Sequence, residues 1–220
     1  MNNLVVMLID KSGSMNDYAW DDNTQDTARD EQGNYLRKRG AVIEGFNRFL
    51  SLQQMRRDDC QMLLGYFDGA YHEIAWCPLS EMGPMSEATY HTGGGTEMYQ
   101  AIETCILDID KRLNALPANE QPGTVIMVVQ SDGETAKNQE EAQAQQWLIN
   151  EMKKRANWQF AFMACDDKAI RSASQTWNPD MIMKYQGADA AAFERVGDAI
   201  LESVVTGRMG SFSVGEVRDA

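Results

Sequence analysis

Short apolar runs alternate with longer segments of helical period along this chain, and that alternation leaves few folds open. Residues 4–9 are continuously apolar and too short for a helix, as expected of a central parallel strand buried on both faces. Residues 36–57 place Ile43, Phe46 and Leu50 on one helical face and end in Arg56 and Arg57, at the negative end of the helix dipole. Residues 61–67 and 71–76 flank Asp68-Gly69. An Asp-Gly pair between two β-prone runs predicts a hairpin, because both central residues of a type I′ turn need φ > 0. Residues 98–116 give the clearest helix, with Tyr99, Ile102, Ile106, Ile109, Leu113 and Leu116 stepping by threes and fours. Further strands are predicted at 125–129, 158–165 and 181–185, and helices at 140–156, 168–174 and 190–205, the last turning Phe193, Val196, Ile200 and Val204 inward. The order β-α-ββ-α-β-α-β-α-β-α predicts an α/β fold. It is a Rossmann-like, doubly wound, mostly parallel six-stranded sheet with one antiparallel edge strand and helices on both faces.

No internal repeat or linker interrupts the pattern, so residues 1–206 read as one domain, followed by a Gly/Ser-rich tail at 207–220. One segment departs from the compact plan. Residues 16–35 form an acidic, polar insertion directly after the first strand, with Tyr18 and Trp20 embedded in it. Connections of that length in compact domains are usually functional or disordered. Its aspartates are expected to pair with Arg37, Lys38 and Arg39, three cations otherwise unfavourably placed near a helix N-terminus.

Charge and composition remove several classes of function. A net charge of −13 leaves no basic face for phosphates, which argues against nucleic acid and against an anionic membrane surface. No run approaches the roughly 20 apolar residues of a membrane span. The N-terminus lacks the basic start and apolar stretch of a signal peptide. Cys60, Cys77, Cys105 and Cys165 fit no metal-ligand spacing and read as reduced, mostly buried thiols of a cytoplasmic protein. Trp147, Trp158 and Trp177 read as packing anchors.

Three loops carry the candidate chemistry. Asp10-Lys11-Ser12-Gly13-Ser14 follows the first strand, where an open parallel sheet binds its ligands. A carboxylate and two hydroxyls within five residues are hard oxygen donors, suited to Mg²⁺, Mn²⁺ or Ca²⁺. Thr92-Gly93-Gly94-Gly95-Thr96 precedes the helix at 98–116, and its glycines permit close backbone approach to an ion; a bland reading makes Thr96 only a helix cap. Ser131-Asp132-Gly133-Glu134 follows the strand at 125–129. Each loop alone is a common turn signal, but all three fall on one rim of the predicted sheet.

LVVMLIDKSGSM, TGGGTEMYQAI and VIMVVQSDGE together resemble the signature segments of the von Willebrand factor A domain, in order along residues 4–205. The resemblance implies a metal-ion-dependent adhesion site, in which Asp10, Ser12, Ser14, Thr96 and Asp132 would hold Mg²⁺ (or Mn²⁺ or Ca²⁺). It implies a protein partner that presents Glu or Asp to the ion, and no catalysis. Stand-alone intracellular members often resemble adaptors for AAA+ ATPases or stress-resistance assemblies. Met15, Tyr18, Trp20, Gly94, Gly95 and Glu134 are the expected contacts around the ion. The acidic insertion and the tail depart from the family pattern and bear on the partner surface.

Two other readings are weaker. A hydrolase using Ser12 or Ser14 with His91 would lack the G-x-S-x-G elbow around either serine. A nucleotide-binding Rossmann-like domain would lack G-x-G-x-x-G after the first strand and a Walker lysine.

Overall fold

The computed structural model describes residues 3–18, 20–21, 26–27, 29, 32–35, 37–56, 60–133, 138–155, 158–164, 167–176, 179–184 and 197–198. The predicted helix at 190–205 lies outside them except for Gly197 and Asp198, as does the tail at 207–220.

In chain order the elements are β1 (Asn3–Asp10), a 3-10 turn (Gly13–Asn16), β2 (Trp20–Asp21), β3 (Asp26–Thr27), α1 (Lys38–Arg56), β4 (Cys60–Phe67), β5 (Tyr71–Pro78), a second 3-10 turn (Leu79–Glu81), α2 (Met98–Asn114), β6 (Thr124–Gln130), α3 (Gln139–Lys154), β7 (Trp158–Ala164), α4 (Asp167–Thr176) and β8 (Met181–Lys184). The main sheet has six strands in the order β5-β4-β1-β6-β7-β8. All pairings in it are parallel except β4 with β5, so the hairpin supplies the predicted antiparallel edge strand. The hairpin register shifts between Leu64 and Gly65. A Cβ placed on Gly65 would lie 2.7 Å from the Tyr71 ring, so only glycine leaves that ring its place.

β1 explains why the sheet is covered on both sides. Every residue of it is buried. Val5, Met7 and Ile9 join Val42, Phe46 and Phe49 of α1 in one core. Leu4, Val6 and Leu8 join Ile102, Ile106 and Ile109 of α2, Ile149 of α3 and Ala169 of α4 in the other. The period-two alternation of a strand thus feeds two apolar layers, and each buried Leu or Ile contributes roughly 1.5–3 kcal/mol. Trp158 is buried in the second core as predicted, but Trp147 is 65% exposed. The buried stripe of α3 runs through Gln145, Leu148, Ile149 and Met152, which turns position 147 outward. The Cys60 and Cys105 thiols are buried and that of Cys77 is half-buried. Among the described residues no helix is long and apolar enough to cross a membrane.

Topology fixes where a site can form. From β1 the chain moves outward through β4 and β5, then returns across to β6 and proceeds to β7 and β8. The direction therefore reverses between β1 and β6, and the crevice beyond their carboxyl ends is where open α/β sheets take ligands. Asp10 is the last residue of β1, and Asp132 lies two residues past the end of β6.

Candidate metal centre

The chain leaves β1 at Asp10, whose side chain is wholly buried. One carboxylate oxygen accepts from the Ser12 N–H at 2.7 Å and the other from the Ser131 hydroxyl at 2.5 Å. The buried Tyr90 hydroxyl donates to the Asp10 carbonyl and fixes the strand end from below. Burial pushes the Asp10 carboxyl above the ordinary aspartate value, against the lowering effect of its bonds to Ser12 and Ser131. The 3-10 turn then carries Ser14 toward Asp132: the Ser12 and Ser14 hydroxyls are 3.0 Å apart, and Ser14 donates to Asp132 Oδ1 at 2.9 Å. Asp10, Ser12, Ser14, Asp132 and Ser131 thus belong to one hydrogen-bonded network spanning two loops, its Asp10–Ser12 link made by the Ser12 N–H.

The glycine loop is tied to the same turn. Gly93 N–H donates to the Lys11 carbonyl at 2.8 Å, and Gly13 N–H to the Gly94 carbonyl at 3.3 Å. Gly94 has φ +78°, which strains any side chain, and its Cβ position would lie a tight 3.3 Å from Asp68 Cβ. Thr96 is half-buried, and its Cγ2 is 3.3 Å from where a Gly133 Cβ would lie, which puts it against the Asp132 loop. It does not cap α2. Glu97 takes the N-cap position, without a side-chain cap bond, so the cap reading of Thr96 is corrected. Gly94 and Gly95 are exposed on the rim.

Other predicted contacts divide. Tyr18 is exposed beside the turn, with the Arg37 guanidinium 4.7 Å from its ring centroid. Met15 is not a surface contact: the 3-10 turn sends it inward, fully buried, into the core under α1. The Trp20 side chain and Glu134 lie outside the described residues. Among the described contacts the three basic residues meet partners other than the expected carboxylates. Lys38 pairs with Asp132, Arg39 with Glu87 at 3.4 Å, and Arg37 donates to the Asn16 carbonyl. For Arg37, therefore, the insertion offers a carbonyl and a ring where carboxylates were expected.

The donor set suits a hard divalent ion: two carboxylates and neutral hydroxyls, all oxygen. The cluster offers less to a hydrolase. Ser12 and Ser14 are bonded to each other and Ser14 to Asp132, and among the described residues His91 bonds to neither. The sequence reading missed Tyr90, named Ser131 only as part of its loop and gave Lys38 to the insertion instead of the site. Tyr90 and Lys38 carry no local signal.

No protein-family model matches the chain, and no curated protein does. Solved structures do match. The vWF domain of the type V pili tip protein Mfa5 from Porphyromonas gingivalis aligns with TM-score 0.61 and 13% identity, over 96% of this chain and 98% of that one. The PilB minor pilin from Streptococcus sanguinis gives TM-score 0.60 and 11% identity over 94% of this chain, which spans 62% of the pilin. The fold is that of a von Willebrand factor A (vWA) domain. A von Willebrand factor type A protein from Catenulispora acidiphila agrees, with TM-score 0.51 and 12% identity over 90% of this chain and 42% of its own. At such identities the likeness reaches the vWA fold, and the chemistry rests on this chain's own residues.

Proposed function

We propose that this vWA domain is a divalent-cation-dependent protein-binding module and not an enzyme. Asp10, Ser12, Ser14, Thr96 and Asp132 would hold Mg²⁺, with Mn²⁺ or Ca²⁺ as alternatives, and a partner protein would present Glu or Asp to the ion. The observation that carries this reading is the hydrogen-bonded network that gathers the Asp10, Ser12, Ser14 and Asp132 oxygens at the switch point of the sheet. A bound divalent ion supplies an electrophilic position for an anionic oxygen, and a charge-assisted contact of that kind is strong and directional. The chain's own residues do the rest. Ser131 and the Ser12 N–H orient Asp10, Ser14 orients Asp132, and Tyr90 anchors the strand end. The buried Cys60 and Cys105 thiols fit a reducing cytoplasm. There the partner would be a cytosolic assembly such as an AAA+ ATPase or a stress-resistance complex.

Affinity capture on the immobilised protein tests the proposal, run in Mg²⁺, in EDTA and with Thr96→Ala. Thr96 caps nothing, so its loss should leave the fold intact and act at the ion. Partners should be retained by wild type in Mg²⁺ and lost in the other two conditions. The same proteins retained in all three would overturn the proposal.

A further inference from the structure

We infer that Lys38 is a tethered competitor for the divalent ion, so that metal binding must drive its ammonium off Asp132. This rests on the metal site proposed above. Lys38 opens α1, and its backbone N–H donates to the Asp17 carbonyl at 3.0 Å. Arg37 donates to the neighbouring Asn16 carbonyl, and Tyr18 bridges to Arg37. The start of α1 is therefore stitched to the residues directly after Ser14, and the Lys38 side chain is delivered to the rim by backbone contacts.

Its ammonium lies on Asp132 Oδ2, while Asp132 Oδ1 accepts from Ser14. The Asp132 side chain is only 3% exposed and that of Lys38 21%, so the pair is enclosed in the cluster. A lysine at the first position of a helix opposes the helix dipole, and the first turn of α1 holds no acidic residue to relieve it. The contact with Asp132 contributes compensation. Asp10 and Asp132 bring two negative charges, and Lys38 already neutralises one. An ion held on Asp132 Oδ1, the oxygen facing Ser14, would lie across one carboxylate from an ammonium on Oδ2, and in an enclosed site the repulsion between the two cations pushes the ammonium outward. The five-oxygen set consequently binds its ion more weakly than its chemistry alone would allow, and the ion's arrival frees Lys38.

Calorimetric titration of MgCl₂ into wild type, Lys38→Met, Lys38→Arg and Asp10→Ala tests this, with amine labelling of Lys38 in the wild type as a second readout. Lys38→Met keeps the aliphatic stem and removes the charge, and should tighten Mg²⁺ binding by about tenfold or more. Lys38→Arg keeps the charge and should bind no tighter than wild type, and Asp10→Ala should bind none. Reductive methylation of Lys38, read by peptide mass spectrometry, should speed up several-fold in Mg²⁺ in the wild type and stay unchanged in Asp10→Ala. Equal affinities for wild type and Lys38→Met, or labelling indifferent to Mg²⁺ while wild type binds the ion, would overturn the inference and leave the metal site standing. Absence of Mg²⁺ binding in both wild type and Lys38→Met would overturn both. The labelling arm uses the unaltered protein, so the test survives a variant that fails to fold.

Discussion

Asp68 joins three parts of the rim through one side chain and one carbonyl. Its carboxylate meets Lys11 at 3.0 Å and His72 at 3.1 Å, and its carbonyl accepts from the Glu97 N–H at 2.7 Å. Burial raises its carboxyl, but the bonds from Lys11 and His72 outweigh that and bring it from 3.8 to about 2. A carboxyl depressed on folding contributes stability above its unfolded pKa and loses it as the pH falls through the folded one. Asp68→Asn should therefore cost roughly 1–2 kcal/mol near neutral pH, trimmed by the partial exposure of its partners. The difference from wild type should shrink below about pH 4 and vanish only below about pH 2. Urea titrations of both proteins across that range check it, and a penalty that ignores pH would show that geometry and not charge holds the turn. At this scale the sequence was informative where ligands are local. Asp10, Ser12 and Ser14 share one turn and could be read together. Tyr90, Lys38 and Ser131 meet the site across 80, 94 and 121 residues of sequence, and no periodicity announces such contacts.

Elements were legible wherever burial writes a pattern. Strands covered on both faces read as unbroken apolar runs, and α2 reads as a helix because its buried residues recur by threes and fours from Met98 to Leu113. A single 3-10 turn has no such pattern, so Met15 looked like a loop residue when it is core. The acidic insertion also hid its order. Two short strands, Trp20–Asp21 and Asp26–Thr27, pair there, and an Arg29–Tyr35 bridge and a Tyr18–Arg37 bridge close it. The rings of Tyr18 and Tyr35 meet edge to face at 5.7 Å, with Arg29 over Tyr35 at 3.9 Å. Asn16, Asp17, Tyr18, Asp26, Arg29 and residues 32–35 are exposed and Thr27 is half-buried, so these parts of the segment lie on the surface of the domain. Replacing residues 20–34 with a short Gly/Ser linker should accordingly shift the melting temperature by no more than a few degrees, because loop length changes closure entropy only slowly. Differential scanning calorimetry checks this, and loss of a cooperative transition would mean the insertion completes the fold.

The whole molecule carries 33 acidic and 20 basic residues, and that excess complicates any metal experiment. Every added cation screens self-repulsion, so a melting temperature that rises with Mg²⁺ says little by itself. The two effects separate at constant ionic strength. Screening is then fixed, and a specific site adds RT ln(1 + [Mg²⁺]/Kd), about 1.4 kcal/mol at ten times Kd, or roughly 3–6 °C for a domain of this size. Asp10→Asn is the sharper control for this purpose. It keeps the shape of a wholly buried side chain while removing a charge whose burial opposes ionisation. The Ser131 hydroxyl, now a donor to Asp10, can rotate to accept from the amide, so the local hydrogen bonds survive in altered form. The metal-free variant should therefore melt no lower than wild type, or slightly higher. NaCl should stabilise both proteins alike, since neither loses the surface charge that salt screens. Replacing part of the NaCl with MgCl₂ at equal ionic strength should raise the melting temperature of wild type only. A variant that keeps the full Mg²⁺ increment would mean that the ions bind elsewhere on the acidic surface, and the oxygen cluster between β1 and β6 would have to be read as a structural hydrogen-bond network.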